Sequence, residues 1–155
     1  LDRKYITSQI VDKFAIYSLP PPNERTFLAK ILYEGKKMYL KDIFLPHLKD
    51  NVKIAYTEEE IKWAKENERL IWQYFVEKQI LFQTNSDLVG RFLEPAPFSK
   101  FYLQIDNESP GKIGVWLGWQ IVRSYCKQNP DTPIIKLLNL SSQELFNLSK
   151  YKPKQ

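Results

Sequence analysis

One segment, residues 106–125, constrains the fold more than any other part of this chain. It reads as a turn followed by a helix in which Gly114 and Gly118 lie one turn apart. Such a pair leaves a stripe without side chains, on which another backbone can lie close. Each glycine costs roughly 1 kcal/mol relative to Ala in an exposed helix. We therefore expect the stripe to mark a close helix–helix contact.

The flanks of the glycine stripe set the bounds of this helix. Ser109 is a favourable N-cap residue, and Pro110 suits the first helical position because its missing N–H is not needed there. The pattern therefore predicts a helix over residues 110–128. Trp116 and Trp119 stand beside the stripe, where large rings usually fill helix interfaces.

The rest of the chain is also helical in its periodicity. Apolar residues recur at spacings of three and four, and no strand pattern of useful length appears. Prolines and capping residues divide the predicted helices, which cover residues 2–17, 23–44, 57–81, 85–92, 110–128, 134–138 and 141–150. Thr57 with Glu60, and Ser141 with Glu144, match the capping-box pattern. The sequence predicts one all-α domain over residues 1–155, a compact bundle of about five to six helices.

Composition excludes several classes of function. The formal charge of +5 is spread along the helices and forms no basic stripe with interleaved aromatics, which argues against a nucleic-acid partner. The single Cys126 excludes an intramolecular disulfide. No cofactor-binding pattern is present, since Gly111 to Gly114 lacks the spacing of a phosphate loop. We expect no cofactor.

Several segments together carry a resemblance to a known family. They are Pro-Phe-Ser-Lys-Phe at 97–101, Glu-Ser-Pro-Gly at 108–111, Gly-Trp-Gln-Ile-Val-Arg-Ser-Tyr at 118–125, and the stretches 28–39, 71–75 and 149–153. These segments resemble the C-terminal part of the gliding-motility lipoprotein GldB family of Bacteroidetes, in which they follow one another in the same order along the chain. The resemblance covers nearly the whole chain.

The resemblance implies a function and a location. The chain would be the C-terminal fragment of a longer lipoprotein, attached to the membrane through an N-terminal lipid anchor outside this chain. It would belong to the cell envelope, as an outer-membrane or periplasm-facing lipoprotein. Its partners would be envelope proteins of the gliding and secretion apparatus, and its role would be that of a non-enzymatic scaffold. Its oligomeric state stays open.

An alternative reading makes Glu34 a metal ligand. Glu34 shares helical spacing with Ile31 and Met38, so its carboxylate should point towards the core. Segments like Tyr33-Glu34-Gly35 are also similar to the second glutamate motif of putative zinc peptidases, in which this Glu is the third ligand. The two histidine ligands would have to lie upstream, because His47 is the only histidine here. The resemblance leaves open that the bundle is half of a metalloprotease-like fold, active or degenerate. The structural alternative pairs Glu34 with a Lys or Arg.

Arg123 is the second candidate, with two acidic residues ahead of its helix. A guanidinium stays charged and must find acceptors, so Asp106, Glu108 or Glu34 should neutralise it in a buried polar cluster. Such a cluster fixes helix order or clamps a ligand carboxylate or phosphate. Acid–base catalysis by Asp106 and Glu108 is the less favoured interpretation, since acidic residues before a helix usually interact with its dipole.

The tryptophans give the last candidates. Most should lie in the core. Trp63 is flanked by Lys62, Lys65 and Glu66, which favours an exposed ring and a surface patch. A glycan-binding module that uses these rings is a third, weaker hypothesis.

Overall fold

The computed structural model describes residues 2–153, which form nine α-helices and three short 3-10 turns without a strand. The helices are α1 (Ile6–Ser18), α2 (Phe27–Phe44), α3 (Asp50–Ile54), α4 (Glu58–Glu66), α5 (Glu68–Glu77), α6 (Asp87–Phe92), α7 (Ile113–Gln128), α8 (Ile134–Asn139) and α9 (Ser142–Ser149). The 3-10 turns are Arg3–Tyr5, Ile80–Phe82 and Gln104–Asn107. The predicted all-α bundle is confirmed, with nine helices within residues 2–153 where about five to six were expected.

The pair formed by α2 and α7 is the centre of the bundle. A Cβ on Gly118 would lie 1.9 Å from the carbonyl oxygen of Ile31, and one on Gly35 would lie 2.3 Å from the carbonyl oxygen of Gly118. The two backbones are therefore in direct contact, as the glycine stripe predicted. On either side of this contact, the buried side chains of α2 and α7 form the main core with residues from α3 to α9.

The beginning of α7 differs from the prediction. Its first residue is Ile113, and Lys112 before it has a φ of 57°, so Pro110 is not part of the helix. The N-cap predicted at Ser109 is wrong, because Ser109 donates instead to the carbonyl oxygens of Ser99 and Asp106. The hydroxyl of Ser99 accepts the N–H of Ile113 at 3.2 Å. A contact fourteen residues away in sequence has replaced the local cap.

The predicted helix over residues 57–81 is divided in two. Thr57 and Glu60 form the predicted capping box at its start. At Asn67, however, the backbone leaves the helical region, and the side-chain amide donates to the carbonyl oxygen of Trp63 at 2.9 Å. Asparagine side chains compete in this way with the helical backbone. The interruption separates α4, which ends at Glu66, from α5, which begins at Glu68.

The first helix, α1, is attached through its own small apolar cluster. Val11, Ala15 and Leu19 pack there against Leu40 and Leu45 of the α2 region. The residues whose spacing predicted this helix lie on its other side and are exposed: they are Ile6, Ile10, Phe14 and Tyr17. The strongest apolar stripe of α1 therefore faces solvent.

Replacing Gly118 with Ala should destabilise the fold by about 3 kcal/mol, because the new methyl group would overlap the backbone of α2 and force the helices apart. The matched control is Gly90→Ala in α6, where the nearest atom would be 3.8 Å away. That change should stabilise the protein by up to about 1 kcal/mol, since Gly90 is exposed in a helix. Urea unfolding of both variants measures the difference. Equal midpoints would contradict the close contact.

Candidate functional site

A network of partly buried ion pairs joins α2, α3 and α7. The guanidinium of Arg123 binds Asp42 with two hydrogen bonds, from Nε at 2.7 Å and from NH2 at 2.8 Å. It binds Asp50 with two more, from NH1 at 3.0 Å and from NH2 at 2.9 Å. Both pairs have the bidentate geometry that makes arginine–carboxylate contacts strong and directional. Two carboxylates of the protein itself therefore take four of the five N–H donors of the guanidinium.

Asp42 is the most connected member of this network. Besides Arg123, it accepts a hydrogen bond from the indole Nε1 of Trp119 at 2.8 Å and one from Lys53 Nζ at 2.9 Å. The guanidinium carbon of Arg123 also lies 3.7 Å from the centre of the Trp119 ring, in cation–π contact. A single carboxylate of α2 thus holds side chains from both α3 and α7.

A second ion pair extends the network to α1. Lys41 Nζ lies 2.8 Å from an oxygen of Asp12, and it also donates to the carbonyl oxygen of Lys53 at 2.7 Å. The hydroxyl of Ser8 donates to that same carbonyl at 3.2 Å. The end of α3 is therefore held by polar groups of both α1 and α2.

The environment of these groups shifts their pKa values in directions that follow from burial and pairing. Burial alone would raise the pKa of Asp50, but the hydrogen bonds and charge of Arg123 outweigh it and hold that pKa below its usual value. Burial lowers the pKa of Lys41, and the pairing with Asp12 offsets this only in part. Pairing therefore outweighs the effect of burial at Asp50, whereas at Lys41 it does not.

An apolar cleft of about 700 Å³ lies beside the network, between α1, α2, α3, α6 and the start of α7. Its walls include Met38, Ile54 and Val115, with Lys41 and Lys112 among its polar groups. Glu34 lines the same cleft. Clefts of this size and character are the usual sites of small ligands.

The structure places the predicted cluster residues apart from one another. Glu34 is half-buried and pairs with Lys37 of its own helix at 2.7 Å, which agrees with pairing to a cation. Asp106 accepts the N–H groups of Phe101 and Tyr102, both at 2.9 Å, and so shapes its own turn. Glu108 is exposed.

An internal ion pair for Arg123 is confirmed, but the predicted partners are wrong. Asp42 and Asp50 neutralise Arg123, whereas Asp106, Glu108 and Glu34 belong to other contacts. The physical reason is the close crossing of α2 and α7, which carries Arg123 to a carboxylate 81 positions away in sequence. The spacing of α2 contained a signal for this contact, because Asp42 follows Gly35 by two helical turns on the same side.

The tryptophans are mostly internal. Trp116 and Trp119 are buried, as their spacing predicted. Trp63 is half-buried and packs against the main core, as does Trp72. The exposed ring and surface patch expected at Trp63 are not found, although its charged neighbours Lys62, Lys65 and Glu66 are exposed.

A zinc ion does not fit the residues around Glu34. Within residues 2–153, no group of three or more His, Cys, Asp and Glu side chains is arranged to hold a metal. His47 is exposed beside Pro46, and the carboxylate of Glu34 is engaged by Lys37. Within the described part of the chain, the ion-pair partner of Glu34 is Lys37, and no histidine lies beside it in a metal-binding arrangement.

Comparison with known proteins identifies the family of this chain. The profile of the family described as gliding motility protein GldB matches residues 1–153. This chain belongs to the GldB family. No curated protein and no solved structure matches it. The family is one of gliding-motility lipoproteins, so membership implies a place in the cell envelope and a role with its motility machinery. None of the helices in residues 2–153 has the length and hydropathy needed to cross a bilayer.

Replacing Arg123 with Leu should lower the stability of this GldB-family domain by about 2–3 kcal/mol. The loss lies towards the low end for a broken buried pair, because the Arg123 side chain is 28% exposed. Two carboxylates, Asp42 and Asp50, would remain without their main cation. Thermal and urea unfolding measure the change, and an unaltered melting curve would contradict the role assigned to Arg123.

The pH dependence of this loss provides its control. Because the pKa of Asp50 is depressed in the folded protein, its stabilisation is present above about pH 4 and lost as the pH falls through the lowered value. The stability gap between wild type and Arg123→Leu should therefore shrink between about pH 7 and about pH 3. If the stability difference between the two proteins stays constant over this pH range, Arg123→Leu destabilises the fold through lost packing and not through the lost charge.

Proposed function

We propose that this chain is a non-enzymatic domain of a cell-envelope lipoprotein, one that is in the outer membrane or faces the periplasm, and that it is an interaction scaffold for the gliding and secretion machinery. Membership of the GldB family supports the setting. The exposed apolar stripe of α1 is the observation that carries the scaffold role.

The ion network supports a structural use of the polar groups. Its three cations, Lys41, Lys53 and Arg123, are each paired with a carboxylate of the chain. The carboxylates, Asp12, Asp42 and Asp50, come from three different helices. Charged groups that form ion pairs with each other hold the helices in place. In this state they are not free to transfer protons to a substrate.

The α1 apolar face, defined here as Ile6, Ile10, Phe14, Tyr17 and Phe44, is the surface that we assign to a partner. Ile10 and Phe14 are 62% and 52% exposed. The ring of Phe14 meets that of Phe44 edge-on, with centroids 5.6 Å apart, so the face continues from α1 onto the end of α2. Contiguous exposed apolar surface of this kind usually marks a protein contact.

Replacing Ile10 with Asp should abolish gliding while leaving the domain folded. A charge on the face would be buried without a partner on docking, whereas in the free protein the side chain is mostly in water. The measurement is colony spreading of a gliding strain whose own copy has been deleted and replaced by the variant. Protein level and melting temperature are recorded alongside.

The matched control is Ile135→Asp, the same change at a residue of α8 that is 72% exposed and lies outside the face. This variant should glide like wild type. Normal gliding of Ile10→Asp, or an equal loss in both variants, would reject the α1 apolar face as the docking surface.

The alternative function is that of a zinc-dependent peptidase, or a degenerate one, with Glu34 as third ligand. It requires two histidines from outside this chain and release of Glu34 from Lys37. Metal analysis of the purified full-length lipoprotein tests it. We expect less than stoichiometric zinc, with no change in Glu34→Ala; one zinc per chain that disappears in this variant would establish the peptidase-like site instead.

A further inference from the structure

The cleft beside the ion network has the properties of a ligand site that the scaffold role does not use. Its volume of about 700 Å³ falls within the usual range for small-molecule sites, roughly 300–1,000 Å³. Met38, Val52, Ile54, Leu93 and Val115 give it apolar walls from four helices or their ends. A cleft of this kind takes a mainly apolar molecule, whose orientation depends on the few polar groups present.

Most charges that line the cleft already have partners within the chain. Asp2 pairs with Lys4, Asp12 with Lys41, and Glu34 with Lys37. Lys53 is held by Asp42. Asp42 is shared with Arg123, whose second carboxylate is Asp50, so that group of four charges is neutral as a whole. These charges are therefore compensated within the chain before any ligand binds.

Lys112 is the exception among the cleft lysines. It is half-buried, and its Nζ donates to the backbone carbonyl of Ile54. It takes part in none of the ion pairs formed by residues 2–153. Burial lowers the pKa of Lys112, and the charge of Lys41 lowers it further. A partly desolvated ammonium with a carbonyl as its acceptor gains from a nearby anion.

The position of Lys112 places this ammonium at the beginning of α7. The residue has a left-handed backbone with a φ of 57° and immediately precedes Ile113. The sixteen-residue helix that follows directs the positive end of its dipole to the same place. Lys112 and Val115 both line the cleft, so the cation and the first turn of α7 face the same apolar space.

We propose that this cleft binds a small monocarboxylate with an apolar tail, whose carboxylate pairs with Lys112 and whose tail packs between Met38 and Val115. Tyr5, at the N-cap of α1, and Gln9, within α1, also line the cleft. The exposed Glu94, two residues after α6, lines the cleft as well, and its negative charge opposes each further negative charge that a ligand brings. The proposal is independent of docking through the α1 apolar face.

A purely structural role for Lys112 is the competing explanation. Its ammonium lies at the C-terminus of α3, where a cation is favourable, and it ties α3 to α7. That role predicts a loss of stability on mutation but no ligand. The two explanations therefore separate on binding and not on stability.

The first test uses the wild-type protein and three probes with the same tail. Isothermal titration with decanoate, decanol and decyltrimethylammonium, each below its aggregation limit, compares a negative, a neutral and a positive head group. Decanoate should bind at least tenfold more tightly than either of the others. Absence of decanoate binding, or a preference below tenfold, would overturn the proposal whatever the variants do.

The second test locates the site. Lys112→Met should weaken decanoate binding at least tenfold, while Lys100→Met, which removes an exposed charge outside the cleft, should leave it unchanged. Gln9→Trp places a large ring at an exposed position of the cleft wall and should also weaken binding at least tenfold without disturbing the core. Circular dichroism confirms that each variant is folded. If Lys112→Met does not fold, Gln9→Trp serves as the test in its place. In either variant, once it is shown to be folded, a decanoate affinity within tenfold of wild type would overturn the assignment.

Discussion

The direct backbone contact between α2 and α7 is the constraint on which the rest of the structure depends. Because Gly35 and Gly118 present no side chains, the two helices approach until the carbonyl of Ile31 fills the space where a Cβ would stand. Everything that follows in α7 is then brought close to α2. Trp119 and Arg123, one and five positions beyond Gly118, reach the same carboxylate of Asp42. A wider spacing would leave both without this partner.

The ion network gives this contact its register. Replacing buried ion pairs by apolar side chains is often neutral or stabilising, so their presence is weak evidence for added stability. Their geometric demand is stronger, since Asp42 must meet Arg123, Trp119 and Lys53 at once. Sliding α7 by one turn along α2 would break the bonds from Arg123 and Trp119 to Asp42, while the bond from Lys53 would remain. We therefore infer that the network favours one arrangement of the helices over others that would bury a similar apolar area.

The sequence predicted the parts of the fold that depend on local pattern and missed those that depend on contacts distant in the chain. Helical periodicity, the glycine stripe and the capping box at Thr57 are local, and each was confirmed. The partners of Arg123 and the cap supplied by Ser99 are set by tertiary packing, and for both of them sequence proximity suggested the wrong residue. Lys112 carried no signal, because its importance arises from a cleft that exists only once five helices or their ends have assembled.

The orientation of α1 shows how polar contacts can override apolar pattern. Burying Ile6, Ile10 and Phe14 would gain more transfer free energy than burying the smaller residues that face inward. Yet Ser8 and Asp12, one turn apart on the inner side, bind the carbonyl of Lys53 and the ammonium of Lys41. Turning the helix by half a revolution would bury its apolar stripe but leave Lys41, which is almost wholly buried, without its carboxylate. The cost of that uncompensated charge accounts for a helix that keeps its most apolar side in water, where a partner protein would find it.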